Sequence, residues 1–177
     1  MPTKEQRIEN LRRSNEASHQ TVEESLREAM YKLLTKKDVA DIRVTDLVNA
    51  AGVSRGVFYK HYYLVTDVLK ADVETAAEEV ALSISKSLDV NWLNILKKVY
   101  EYKNRIPLLI KAGLGMEILY QINQVTDRLY DVEKTLLCTW NGIIFNTIVR
   151  WSEREFEDSP EALAEQMTKA TKPLFRG

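Results

Sequence analysis

The sequence is poor in the residues on which disulfide-rich, metal-binding and loop-rich folds depend. Its 177 residues include one cysteine, two histidines, six glycines and four prolines. A single thiol, Cys138, excludes an internal disulfide framework and fits a reducing compartment. Few glycines and prolines, together with plentiful Leu, Ala, Glu, Lys and Arg, favour helices. We therefore expect an all-α protein with a cytoplasmic location.

Long apolar runs and a strong net charge are also missing. No stretch approaches the ~18 to 20 uninterrupted apolar residues that cross a bilayer, and the charged start of the chain lacks the apolar core of a secretory signal. The formal net charge is −1, and residues 1 to 62 carry eleven Lys and Arg against nine Asp and Glu. We expect no membrane partner, and a basic excess this small does not by itself indicate a polyanion-binding protein.

Catalytic and metal-binding patterns are missing as well. His19 and His61 show no metal-ligand spacing with each other or with Cys138. No glycine-rich phosphate loop occurs, and the sequence does not place Ser, His and Asp residues as a catalytic triad requires. We therefore predict a protein that is not an enzyme, with no cofactor and no metal site.

Two short helices joined by a tight turn are predicted between residues 44 and 62. The first helix has apolar residues at the spacing of one buried face, namely Val44, Leu47, Val48 and Ala51. Gly52 ends this helix, because glycine adopts positive φ without steric cost. Ser54 then begins the second helix as an N-cap, since its hydroxyl can accept a hydrogen bond from a first-turn amide. This pattern is typical of a helix-turn-helix.

The second helix presents hydrogen-bond donors, while Phe58 is left to face the core. A helix that opens with free amides, a capping hydroxyl and Arg55 suits the DNA backbone and the major groove. Exposed helices that bind nothing also carry caps and cations, so each residue taken alone has a simpler interpretation. The predicted DNA contacts of the whole motif are Arg43, Thr45, Ser54, Arg55, Gly56, Tyr59, Lys60 and His61.

This stretch resembles the DNA-binding domain of TetR-family transcriptional regulators. The resemblance rests on Ala51-Gly52-Val53-Ser54 and on Phe58-Tyr59-Lys60-His61-Tyr62, and it extends from about residue 21 to about residue 69. It implies that Tyr59 contacts the DNA backbone with His61 beside it.

Three positions depart from the family pattern. Arg43 and Val57 stand where the family usually has Thr, and Tyr63-Leu64-Val65 replaces a polar turn with a lysine that clamps phosphate. These losses lower the expected nonspecific affinity for DNA. They leave open a second function, a TetR-like adaptor or coactivator that acts through a protein partner with weak or no DNA binding.

The chain is predicted to have three segments. Residues 1 to 17 form a polar arm, which is either a basic arm that reaches DNA or a solvated tail. Residues 18 to 63 form a three-helix helix-turn-helix domain, whose first helix opens at a capping-box pattern from Thr21 to Glu24. Residues 64 to 177 form a helical bundle for dimerisation and effector binding, giving about nine helices in all.

Helix ends in the third segment follow from local signals. A long helix from about Val65 is predicted to end near Ser87, before a break at residues 89 to 91. Ser159 as N-cap and Pro160 in the first turn open the last helix.

An apolar stripe on the penultimate helix has two interpretations. Its residues are Trp140, Ile143, Ile144, Ile148 and Trp151. The stripe either packs within one chain or forms a seam between two copies, because obligate dimer interfaces are large and apolar. In TetR-like proteins the last two long helices form a four-helix bundle with a second copy, so the resemblance implies a homodimer.

Aromatic and methionine side chains are concentrated in the middle helices, namely Trp92, Tyr100, Met116 and Tyr120. They either fill the core or line a cavity for a small apolar or aromatic effector, where the family places its ligand pocket. The sequence thus predicts a DNA-binding regulator. We expect a repressor that binds a double-stranded DNA operator and that a small-molecule effector releases from it.

Overall fold

The computed structural model describes residues 4–84 and 92–175, and within these ranges it contains nine α-helices and no β-strand. The helices are α1 (Lys4–Leu34), α2 (Val44–Ala51), α3 (Arg55–His61), α4 (Val65–Leu82), α5 (Trp92–Glu101), α6 (Ile106–Lys111), α7 (Gly115–Leu129), α8 (Lys134–Glu153) and α9 (Pro160–Thr171). Short 3-10 turns occupy Val39–Asp41 and Lys172–Phe175. The predicted all-α fold with about nine helices is confirmed for this part of the chain.

The helices form two compact units, residues 1–69 and residues 70–177. The first unit contains α1, α2, α3 and the beginning of α4, and the second contains the rest of α4 with α5 to α9. The predicted end of α4 near Ser87 and the predicted break at residues 89 to 91 lie outside the described residues.

Helix α1 begins at Lys4, so the predicted helix start at Thr21 is wrong. No glycine or proline lies between residues 4 and 34, and Glu, Gln, Arg and Leu are good helix formers. Nothing therefore stops the helix upstream of the capping-box pattern. Inside the helix, the Ser25 hydroxyl donates a hydrogen bond to the carbonyl oxygen of Thr21 (2.8 Å).

Helices α2 and α3 meet at the predicted turn. Gly52 has φ 70°, the left-handed conformation that ends α2. The Ser54 hydroxyl accepts a hydrogen bond from the Val57 amide (3.2 Å), which confirms it as the N-cap of α3. Phe58 is fully buried in the core of the first unit. The same core contains Leu26, Met30, Leu47 and Val48. The chain therefore forms a helix-turn-helix held by a buried apolar core.

The core of the second unit is built around α8. Trp140 packs against Trp92 of α5 with ring centroids 5.7 Å apart, and Trp151 stacks on Tyr100 at 5.5 Å. The indole N–H of Trp92 donates a hydrogen bond to the hydroxyl of Thr171 at the end of α9 (3.0 Å). Aromatic packing and one buried hydrogen bond thus join α5, α8 and α9.

Helix α8 is followed by a corner that contains no glycine. Glu155 and Phe156 have φ 53° and 58°, and this left-handed conformation costs non-glycine residues on the order of 1 kcal/mol each. Phe156 is buried with its ring centroid 5.0 Å from that of Trp151, so packing holds the corner. Ser159 then caps α9 with Pro160 in its first turn, as predicted.

Replacing Thr171 with Val is expected to lower the free energy of unfolding by about 1–3 kcal/mol, because the buried indole N–H of Trp92 loses its acceptor. Urea denaturation followed by fluorescence measures this change. Thr168 of the same helix is the matched control, since its hydroxyl bonds the backbone carbonyl of Ala164 (2.7 Å). Thr168→Val is expected to cost less than about 0.5 kcal/mol. Equal losses in the two variants would show that the indole hydrogen bond contributes nothing.

Candidate nucleic-acid interface and effector cavity

The outer face of α3 carries exposed cations. These are Arg55 and Lys60, and neither forms an ion pair among the described residues. Tyr59 lies between them in sequence and is also exposed. Ser54 and Gly56 are exposed at the start of the helix. Five of the predicted DNA contacts therefore lie on a surface that offers donors and positive charge.

At the start of α2, Asp46 supplies the cap that Arg43 cannot. The Asp46 carboxylate accepts hydrogen bonds from the backbone N–H of Arg43 (3.3 Å) and from the ammonium group of Lys37 (3.1 Å). The Lys37 hydrogen bond, followed by the Arg43 amide, holds the pKa of Asp46 below its ordinary value. The Arg43 side chain makes no capping hydrogen bond and is exposed, and Thr45 beside it is half-buried. Both remain available on the surface of the first unit.

His61 points inward, unlike the other predicted DNA contacts. Its side chain is only 6% exposed, and its Nδ1 lies 3.2 Å from a carboxylate oxygen of Glu23 on α1. The His61 ring also packs on His19, with ring centroids 4.6 Å apart. The chain's two histidines therefore meet at the packing between α1 and α3. The DNA contact predicted at His61 is not supported by its position, since the side chain holds α3 against α1.

Exposed apolar side chains follow α3. Tyr63 is 85% exposed and Leu64 is 61% exposed. Asp67, in the first turn of α4, accepts hydrogen bonds from the backbone N–H groups of Tyr63 (3.1 Å) and Leu64 (2.8 Å). The chain's own carboxylate thus satisfies the amides at the beginning of α4. The sequence showed that the lysine usual in the TetR family is absent at residues 63 to 65, but it did not show that Asp67 accepts the hydrogen bonds of these amides.

A small apolar cavity lies among α4, α5, α6, α7 and α8. Its volume is about 50 Å³, which leaves room for only a few water molecules. Its lining residues are Asp72, Val73, Ala76, Ala77, Val80, Val99, Tyr102, Ile106, Leu109, Ile118, Ile122 and Ile148. Ten of these twelve side chains are apolar, so the cavity suits an apolar occupant.

The two polar lining residues are held in hydrogen bonds. The buried Asp72 carboxylate accepts a hydrogen bond from the guanidinium of Arg105 (3.1 Å). The Tyr102 hydroxyl donates to Glu79 (2.8 Å). Burial, and then Glu79, raises the pKa of Tyr102 far above its ordinary value, so the phenol keeps its proton even in alkaline solution. Sequence reasoning missed this site, although its signal was present as Asp72, a carboxylate on the face of α4 that also carries the buried Leu69, Val73 and Ala77.

The four residues predicted to line an effector pocket lie elsewhere, so the predicted lining is wrong for this cavity. Trp92 and Tyr100 belong to the aromatic core of the second unit. Met116 and Tyr120 are more than half exposed on α7. None of the four lines the cavity. Large aromatic side chains fill space well, and here the cavity is bounded mostly by smaller aliphatic side chains.

The structure also divides the predicted dimer stripe. Four of its five residues are buried within a single copy of the chain and are therefore core residues, namely Trp140, Ile144, Ile148 and Trp151. Ile143 is half-buried and faces a different side of α8. The burial of these four side chains within one copy does not support a seam formed by all five residues, and Trp151 alone of the four also borders the groove on the side of Ile143.

An open groove of about 560 Å³ lies along α8 and α9 on the side of Ile143. Its lining residues are Cys138, Thr139, Gly142, Ile143, Asn146, Thr147, Arg150, Trp151, Arg154, Leu163 and Met167. A Cβ atom at Gly142 would meet nothing within 4 Å. Glycine inside a helix costs about 0.5–1 kcal/mol relative to Ala, and packing within one copy gives no reason for this cost.

The helix arrangement is similar to that of a solved regulator. The crystal structure of the TetR family repressor AlkX from Dietzia sp. strain DQ12-45-1b, implicated in biodegradation of n-alkanes, matches with a TM-score of 0.55 and 19% sequence identity. The match covers 86% of this chain and 94% of that chain. The chain has a TetR-like fold. No protein-family model matches the sequence, and no curated protein matches it either.

Two other kinds of site are not found in the described part of this TetR-like chain. No group of three or more His, Cys, Asp or Glu side chains among residues 4–84 and 92–175 is arranged to hold a metal ion. No helix within those ranges has the length and apolar character needed to cross a membrane.

Replacing Arg105 with Ala is expected to lower the free energy of unfolding by about 2–4 kcal/mol at pH 7, because the buried Asp72 carboxylate loses this counter-charge. Urea denaturation at pH 7 measures it. The double variant Asp72→Asn/Arg105→Ala has no buried carboxylate and is expected to recover part of the lost stability. A double variant that is no more stable than Arg105→Ala would contradict the prediction.

Proposed function

We propose that this chain is a DNA-binding transcriptional regulator without enzymatic activity, acting in the cytoplasm as a homodimeric repressor that a small effector releases from its operator. The observation that carries the proposal is the helix-turn-helix whose outer helix presents Arg55 and Lys60, free of ion pairs among the described residues, with Tyr59 between them. The TetR-like fold supports it.

Each exposed donor on α3 has a distinct role in the proposal. Lys60 and the Tyr59 hydroxyl contact phosphate oxygens, which fixes the position of α3 without reading sequence. Arg55, at the first position of α3, contacts the edge of a guanine in the major groove, where a guanidinium can donate two hydrogen bonds. Arg43 and Thr45, at the start of α2, contact the neighbouring backbone.

The homodimer forms through the groove along α8 and α9 rather than through the buried stripe. Gly142 supports this assignment, because a residue without a side chain allows another helix to approach closely. Ile143 and Met167 supply apolar surface beside it. Two copies related by a twofold axis would present two recognition helices to successive major grooves of a near-palindromic operator.

The effector enters the apolar cavity of the second unit. A volume of about 50 Å³ is too small for most ligands, so binding requires the surrounding helices to move apart. Helix α4 lines the cavity and also contributes its first turn to the helix-turn-helix unit. An effector that fits only the enlarged cavity favours that conformation, and this shifts the population away from the DNA-binding one.

The second candidate function is a TetR-like adaptor or coactivator that acts through a protein partner. Asp67 favours it, because a carboxylate occupies the amides at the start of α4 where a phosphate would otherwise be held. Two measurements separate the candidates. A repressor retains specific DNA fragments from its own genome, and this binding weakens steeply as salt rises. An adaptor with weak or no DNA binding retains no such fragment.

Lys60→Ala is expected to weaken DNA binding about equally on all sequences and to reduce the salt slope by about 0.9 for each phosphate that the lysine neutralises in the wild type. Tyr59→Phe is expected to act uniformly as well. Arg55→Ala is expected to relax specificity at one base pair, costing about 1–3 kcal/mol there. Fluorescence anisotropy measures all three variants on duplexes enriched from a random library, with the exposed Lys134→Ala in the second unit as the charge control. If all three variants fold and bind DNA with wild-type affinity, the proposal that α3 contacts DNA is wrong.

Ile143→Glu is expected to give a folded monomer, because a carboxylate would be buried in the seam between copies. Sedimentation at micromolar concentration should show a dimer for the wild type and a monomer for this variant. Ile144→Glu is the matched comparison, since Ile144 is buried in its own core and the charge there is expected to unfold the chain. A dimeric Ile143→Glu variant, or a monomeric wild type, would contradict dimerisation through this groove.

A further inference from the structure

We propose that Tyr63 and Leu64 bind the sugar–phosphate backbone of DNA through neutral contacts, so that the start of α4 adds affinity without adding a cation. The inference rests on the proposed DNA-binding function. It names the chemistry by which one part of that surface contacts DNA.

Tyr63 and Leu64 are adjacent large side chains that are both more than half exposed. Among the large apolar side chains that the structure describes, none is more exposed than Tyr63, and Leu64 is its immediate neighbour. Both follow α3 directly and belong to the helix-turn-helix unit. Two adjacent apolar side chains that project from a unit with a buried core indicate a surface that a partner covers.

Asp67 determines which contacts this surface can make. Its carboxylate already accepts the backbone N–H groups of Tyr63 and Leu64, so these amides cannot also bind a phosphate. A phosphate placed there would also lie close to a negative charge. Any favourable contact with DNA at this place must therefore come from the side chains of Tyr63 and Leu64.

The surrounding charges favour DNA as the partner. Lys60 precedes Tyr63 by three residues, so their Cα atoms are at most roughly 11 Å apart. Lys60 and Arg55 have no acidic partner among the described residues. A partner that covers Lys60 together with Tyr63 and Leu64 must present negative charge and apolar groups within roughly 11 Å of each other. The DNA backbone has this composition, since phosphates alternate with deoxyribose carbons.

The two side chains divide the contact between them. The Tyr63 hydroxyl donates a hydrogen bond to a phosphate oxygen, while its ring and Leu64 cover deoxyribose carbons. Neither group is charged, so neither displaces a condensed counterion from the DNA. Such a contact raises affinity at every salt concentration by the same factor, whereas a lysine would also steepen the salt dependence.

The test measures DNA affinity against salt for Tyr63→Ala and Leu64→Ala. The probes are a 30-bp duplex enriched by the wild type from a random library and a random-sequence duplex of equal length. Each variant is expected to bind about tenfold more weakly on both duplexes, with an unchanged salt slope. Tyr120→Ala and Leu82→Ala are the matched controls, because both side chains are more than half exposed but lie in the second unit. They are expected to bind as the wild type does.

Tyr63→Lys supplies an independent measurement. If DNA passes this position, the new ammonium group reaches a phosphate and steepens the salt slope by about 0.9 per copy of the chain. An unchanged slope in Tyr63→Lys, together with wild-type affinity in both alanine variants, would overturn the inference and assign the surface to a protein partner. A shallower slope in the alanine variants would overturn the neutral character of the contact. If the wild type enriches no duplex from the library and does not bind the random-sequence duplex, the proposed function fails too, whereas a loss in Lys60→Ala alone leaves that function standing without this contact.

Discussion

The orientation of α8 about its own axis determines which of its side chains enter the core of the second unit, and the arrangement of that unit follows from this constraint. Trp140 and Trp151 lie eleven residues apart, about three helical turns, so their indoles project from the same face. Ile144 and Ile148 fall between them on that face, and all four are buried. Once these side chains fill the core, the opposite face with Gly142 is left open. Core packing thereby decides which surface of α8 stays accessible.

Local signals in the sequence were sufficient for the helix-turn-helix. Gly52 and the N-caps Ser54 and Ser159 act within a few residues of themselves, so their roles can be read without knowledge of the tertiary fold. The start of α1 was missed because a capping-box pattern is compatible with a helix that simply continues through it. The position of His61 depends on its contacts with α1, thirty-eight residues away at Glu23, and no local pattern reports that.

Residue type alone did not separate core from interface or cavity. The stripe on α8 has helical spacing whether it faces its own chain or another, and an aromatic cluster is apolar in either setting. The cavity instead formed where Val, Ile and Ala side chains leave a gap beside a buried carboxylate. Asp72 is the informative residue, since a charge inside an apolar stripe requires a partner, and here Arg105 supplies it. In such helical chains, a charged residue on an otherwise apolar helix face is a better indicator of a cavity than a cluster of aromatic residues.

The corner after α8 has a mechanical consequence. Two successive residues in the left-handed conformation leave the backbone few alternatives, and the buried Phe156 together with the hydrogen bond from the Trp151 indole to the Asp158 carbonyl (3.1 Å) keeps them there. At the far end of α9, the Thr171 hydroxyl accepts a hydrogen bond from the Trp92 indole. The position of α9 relative to the rest of the second unit is therefore fixed at both of its ends, by the corner before it and by the hydrogen bond from Trp92 after it.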